Sequence, residues 1–136
     1  HLSLRRQRQM CIRDSYKDTV EYCKQREQFG QPIGKFQVLQ HRMVDMFMEH
    51  EQSKSLMFMA AMRMAEGYGS EAQKAVSAFK VQVGKSGKFV GQNAVQLHGG
   101  MGMTEELNIG HYFKRLTIID TLFGNVDFHL QRYGTL

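Results

Sequence analysis

The sequence has no Trp, a single Pro and two Cys in 136 residues. One proline leaves no room for a Pro-rich linker or a collagen-like repeat. Cys11 and Cys23 make neither a disulfide framework nor a C-x-x-C metal or redox motif. No apolar run approaches the roughly 18 residues of a membrane span. A strand-like alternation is absent throughout. These absences point to a reduced, soluble, cytoplasmic protein without a metal site. With 42% hydrophobic and 23% charged residues, the chain is too apolar to be disordered. Its length suits one domain with a real core.

The formal charge of +5 suggests nucleic acid or an anionic surface as partner until the charge is located. Residues 1–15 hold four Arg and one Asp, or +3, and the rest of the chain only +2. That Arg-rich start, HLSLRRQRQMCIRDS, follows no clear period. It is read as foreign to the fold, a truncation junction or a cloning or assembly artefact, leaving the domain at 16–136. Lys80, Lys85 and Lys88 lie along one segment with no aromatic residues interleaved for base stacking. They read as a solvated face rather than a nucleic-acid surface.

From residue 16 the chain reads as helices. Tyr16, Val20 and Cys23 share one face, and the run Gly30-Gln31-Pro32-Ile33-Gly34 breaks the pattern. A long segment from about Lys35 to Glu66 follows, with seven of the ten Met between residues 43 and 64. Methionine fills irregular gaps, so packing and subunit contact outrank any metal role. Glu49, His50 and Glu51 are consecutive, point around a helix, and make a poor metal site. Ser70 is the expected N-cap of the next segment. There Ala72, Val76, Phe79, Val83, Gly87, Val90, Ala94 and Leu97 form one stripe of a helix from about Glu71 to Leu97. Gly84, Gly87 and Gly91 lie inside it, implying close approach of another backbone or, less simply, room for a ligand. Shorter helices are expected from about Glu105 to Arg115 and from Thr117 to Tyr133. The expected fold is all-α, an antiparallel four-helix bundle.

Two loops concentrate unusual residues. The first runs Arg26-Glu27-Gln28-Phe29-Gly30-Gln31-Pro32-Ile33, then Phe36-Gln37. The second is Gln96-Leu97-His98-Gly99-Gly100-Met101-Gly102-Met103-Thr104-Glu105-Glu106. Glycines let a backbone approach a ligand and turn N–H groups toward an anion, and Thr104 with Glu106 reads as a helix start that attracts phosphate. Glycine-rich turns between helices also occur without any ligand.

Together and in this order, R-x-x-F-G-x-P-I…F-Q and Q-L-H-G-G-x-G-M-T-E-E resemble the C-terminal helical domain of the acyl-CoA dehydrogenase family. The resemblance covers residues 16 to 133. It implies a third of a flavoenzyme subunit, the bundle that drives tetramer assembly and carries part of the FAD site. Carried over residue by residue, Arg26 matches the Arg that pairs with the FAD pyrophosphate across a subunit interface. Phe29 matches the aromatic residue beside the adenosine part, and Gln37 a polar FAD contact. Gln96, Leu97, His98, Gly99 and Gly100 match the segment passing along the partner subunit's FAD. Without the resemblance, Arg26 reads as a surface cation and His98 as a loop histidine with an ordinary hydrogen bond.

One position departs from the family. α-Proton abstraction from an acyl-CoA thioester needs a carboxylate, and many members place a Glu immediately before a Gly near the last helix. Here that stretch is Asp120-Thr121-Leu122-Phe123-Gly124-Asn125-Val126-Asp127, with Phe123 at the Glu position. No catalytic residue is therefore assigned. Three explanations stand. The base lies upstream of residue 16, as in some members; a partner subunit supplies it; or Asp120 or Asp127, a turn either side, substitutes. The second leads. The segment around Gly-Met-Thr-Glu-Glu-Leu resembles the small subunits of heteromeric dehydrogenases, close to the pimeloyl-CoA type. The rival is a structural subunit that no longer binds flavin.

Overall fold

The computed structural model describes residues 2–104 and 106–136, the side chains of 2–8 and of Ile119 excepted. Five helices follow one another: α1 (Leu2–Gln25), α2 (Gln37–Glu66), α3 (Ser70–His98), α4 (Asn108–Thr121) and α5 (Val126–Thr135). The all-α expectation holds, with one addition. Between α1 and α2 a two-residue ladder pairs β1 (Glu27–Gln28) with β2 (Gln31–Pro32), antiparallel. Alternation cannot reveal strands this short.

The helix expected from Tyr16 extends back to Leu2. Its buried face is Ile12, Ser15, Thr19 and Cys23, at spacings of three and four. Ser15 and Thr19 are polar and escape an apolar count. Thr19 satisfies its own hydroxyl by donating from Oγ1 to the Ser15 carbonyl, 2.6 Å away.

α3 is the centre of the molecule and packs against all four other helices. Its predicted stripe is buried throughout, Gly87 included. The stripe meets Ile12 and Cys23 of α1, Met46 and Ala60 of α2, and Ile109 and Leu116 of α4. Each aliphatic or aromatic side chain so buried contributes about 1.5–3 kcal/mol before entropy is counted. What approaches its glycines is side chains, not a backbone. A Cβ on Gly91 would lie 2.8 Å from the Phe113 ring, and one on Gly87 3.3 Å from Leu116. A polar seam also joins α2 to α3, where Glu49 accepts from Ser86 Oγ at 2.6 Å and from Gln82 Nε2 at 3.0 Å.

Two boundary expectations and one burial expectation are corrected. Gly69, not Ser70, is the N-cap of α3. Ser70 is already helical and its hydroxyl reaches the chain end, donating to the Leu136 carbonyl at 3.1 Å. The break expected near residue 116 falls at Leu122–Asn125. Thr117 stays helical by donating to the Phe113 carbonyl at 2.9 Å, while Phe123 (φ +60°) and Gly124 (φ +92°) take left-handed backbone and end α4. Lys80 is not on a solvated face. It is 1% exposed, and its Nζ donates to the Asp120 carbonyl at 2.9 Å, satisfying an orphan acceptor in the last turn of α4. Lys85 and Lys88 are exposed as expected.

α2 is apolar on its outer side as well. Val44, Met48, Phe58, Met59 and Met62 are exposed there, opposite the buried Met46, His50 and Ala60. A patch of this kind marks an interaction surface.

Candidate functional site

Arg26 follows the last residue of α1 and keeps a helical bond, its N–H donating to the Tyr22 carbonyl at 2.8 Å. The chain then reverses through Phe29 (φ +56°) and Gly30 (φ +78°). Two left-handed residues in succession are the tight hairpin turn that a two-residue ladder requires. Glycine adopts it freely, whereas Phe29 does so at a cost of about 1–2 kcal/mol. Phe29 is 93% exposed, its ring edge-on to Phe36 with centroids 6.2 Å apart.

Further along the chain, α3 runs to His98 and stops at Gly99 (φ +58°), whose N–H donates to the Gln96 carbonyl. The glycine-rich loop expected next is a 3-10 turn, Gly99–Met103. Thr104 does not begin a helix. Its hydroxyl turns inward to the Met101 carbonyl at 2.8 Å, and α4 starts only at Asn108. Glu105 lies outside the described residues.

The packing of α1 on α3 brings these two ends together. An open groove of about 440 Å³ is lined by Arg26, Gln96, Leu97, His98, Gly99 and Gly100, with Tyr22, Gln28, Ile33 and Met101. Six of the eight residues expected to contact a cofactor therefore share one groove. Phe29 and Gln37 do not line it; Gln37 is exposed at the first position of α2. Tyr22 is the residue the sequence did not single out. Its ring stacks on His98, with centroids 4.2 Å apart and planes inclined by 28°.

The loop glycines divide by cause. Gly99 serves the turn, and a Cβ on Gly102 would lie 2.8 Å from the Val95 carbonyl oxygen. Gly100 has open space around its missing side chain and no left-handed backbone to explain it. Fold packing gives no reason for a glycine there; close approach of a ligand does. α3 ends at the groove with its carbonyl end, so its dipole offers an anion nothing. The positive charge comes from Arg26, whose guanidinium makes no ion pair or hydrogen bond among the described residues. A free guanidinium, an uncrowded glycine and a stacked aromatic pair fit a nucleotide with a phosphate group.

The corner at Phe123 carries no carboxylate. Phe123 is 53% exposed, and its carbonyl accepts from His129 Nε2 at 3.0 Å, which anchors the turn to α5. His129 is buried, its Nδ1 lying 3.4 Å from Ser77 Oγ of α3. Asp120 Oδ1 is buried over Gly84, 3.9 Å from Lys80 Nζ, and Asp127 sits in the first turn of α5. Neither occupies position 123 itself. Glu51 Oε1 lies 3.1 Å from His50 Nδ1, but Glu49 turns to Ser86 and Gln82 instead, and no group of three potential metal ligands occurs among the described residues.

Comparison with known proteins identifies the family and the fold. The family model described as "Acyl-CoA dehydrogenase, C-terminal domain" matches residues 3–134. Acyl-CoA dehydrogenase IpdE2 of Mycolicibacterium smegmatis is 36% identical over 104 residues, covering 71% of this chain and 29% of that protein. Butyryl-CoA dehydrogenase from Megasphaera elsdenii superposes with a TM-score of 0.92 at 28% identity, over 98% of this chain and 34% of that one. The ChsE4–ChsE5 complex from Mycobacterium tuberculosis gives a TM-score of 0.92 at 27% identity, over 98% of this chain and 36% of that one. The chain thus spans about a third of the length of the proteins it matches. It belongs to the acyl-CoA dehydrogenase family, as that family's C-terminal helical domain.

Proposed function

We propose that this chain is the C-terminal part of an FAD-dependent subunit acting in α,β-dehydrogenation of an acyl-CoA thioester, and that the subunit lacks its own base. The single observation carrying this is the convergence of Arg26 with the Gln96–Gly100 segment on one groove, with Phe123 where the carboxylate is expected. Arg26 would hold the pyrophosphate bidentately, while Gly100 lets the backbone close on the cofactor. When bound, FAD supplies the acceptor for the substrate's β-hydride. Phe123 can neither take nor give a proton, so the α-proton must go to a carboxylate elsewhere. A partner subunit is the favoured source, which makes the assembly a heteromer. The exposed apolar face of α2 suits the subunit contact of a tetramer.

A cytoplasmic location belongs to the same proposal. No helix among the described residues is long and apolar enough to cross a membrane, and both cysteines are free. The Arg-rich start, residues 1–15, is foreign to the functional domain in this proposal, although residues 2–15 form the first part of α1.

The test is Phe123→Glu in the full-length chain assembled with its genomic neighbour. Turnover of acyl-CoA is expected to stay within about twofold, because the working base lies elsewhere. A gain of about 100-fold or more, the scale of a restored general base, would show that the enzyme lacks a base altogether.

A further inference from the structure

We propose that His129 is a positioning residue: by holding the Phe123 carbonyl it fixes the corner after α4, and so sets the Phe123 ring as an apolar seat for the acyl chain. The proposal rests on the acyl-CoA reading above and gives a role to the residue that stands where the base is expected. His129 Nε2 lies 3.0 Å from the Phe123 carbonyl oxygen. A carbonyl only accepts, so Nε2 carries the proton and donates it. In the neutral ring Nδ1 then accepts from Ser77 Oγ, 3.4 Å away on α3. Lys80, one turn beyond Ser77 on the same face of α3, donates to the Asp120 carbonyl at 2.9 Å. Water commonly satisfies the carbonyls at an exposed helix end. Here two buried side chains, each 1% exposed, grip them instead.

What these bonds hold is a residue in costly backbone. Phe123 has a φ of +60°, where its Cβ crowds the following carbonyl and a glycine would not. The next residue, Gly124, lies against the Phe128 ring, which stands edge-on to His129 with centroids 5.1 Å apart. Strain of this kind persists where the surroundings over-determine it, and it gathers at binding sites. The Phe123 side chain itself points to no core position: it is exposed, as are its apolar neighbours Leu122 and Phe128. The hydrocarbon chain is the part of an acyl-CoA that gains by covering such a surface. A ring that touches the chain equally in the ground state and the transition state lowers KM and leaves kcat alone.

The experiment is steady-state kinetics of the full-length chain assembled with its genomic neighbour, using butyryl-, octanoyl- and palmitoyl-CoA and a dye as electron acceptor. His129→Met fills the volume without a donor. It is expected to raise KM about fivefold, the scale of one hydrogen bond, with kcat within about twofold. His129→Gln carries an amide N–H for the same carbonyl and is expected to bring KM back to within about twofold of the unmodified protein. Phe123→Gly removes the ring and is expected to raise KM about fivefold or more, the scale of covering half a Phe side chain. Adding His129→Met to Phe123→Gly is expected to raise KM no further, because no ring is left to position. Increases that multiply would make His129 a support of the fold at large and overturn the proposal. So would an unchanged KM in His129→Met or in Phe123→Gly. Circular dichroism checks that each variant is folded. If His129→Met does not assemble, the other two single variants decide: a raised KM in His129→Gln or an unchanged one in Phe123→Gly overturns the proposal. No turnover of any of the three thioesters by the unmodified enzyme overturns the acyl-CoA reading itself, and this proposal with it.

Discussion

Replacing Arg26 by Ala is expected to weaken FAD binding by roughly 10- to 100-fold, the worth of charge-assisted hydrogen bonds to phosphate of about 1.5–3 kcal/mol. The reason is specific to this groove. The carbonyl end of α3 borders it, so no helix dipole takes over when the guanidinium is gone. Fold stability should be unaffected, because the Arg26 side chain holds no partner among the described residues. Arg26→Lys is expected to recover only part of the affinity, since an ammonium cannot grip two phosphate oxygens as a planar fork. Flavin titration of the assembled apoprotein checks both variants. Unchanged affinity in Arg26→Ala would remove the guanidinium from the site.

The largest effect on folding is expected at Phe79. It is 1% exposed, on the face of α3 that meets the other helices, and its truncation to Ala should cost about 3–5 kcal/mol. The loss combines transfer of the ring with the cavity it leaves in a core that cannot collapse around it. Urea unfolding of the two proteins measures the difference. A loss below about 1 kcal/mol would mean that α3 is not the centre of the core.

Phe79 was legible in the sequence, and so was the rest of its stripe, because a helix buried along one face repeats apolar residues every three or four positions. Lys80 was not. It sits one position from that stripe, and an apolar count assigns any lysine to solvent. Its placement depends on the end of α4 presenting a carbonyl to it, a tertiary fact. Ser15 and Thr19 were missed for the same reason, being polar residues on a buried face.

The site was readable as two motifs about 70 residues apart, and the fold joins them only by laying α1 on α3. Phe29 and Gln37 belong to the first motif in sequence, yet they do not line the groove. Tyr22 belongs to no motif. One signal could have found it: it stands four residues before Arg26, one helical turn away and on the same face. The end of α4 was misplaced because a Phe in left-handed backbone has no sequence signature beyond the Gly that follows it.

The central claim is that this groove holds a flavin in a subunit without its own base. The most direct measurement is the visible absorption of the full-length chain purified with its genomic neighbour. A yellow protein with bound FAD is expected, and loss of that colour on Arg26→Ala. A stable, colourless complex that takes up no added FAD would contradict it and leave a purely structural subunit.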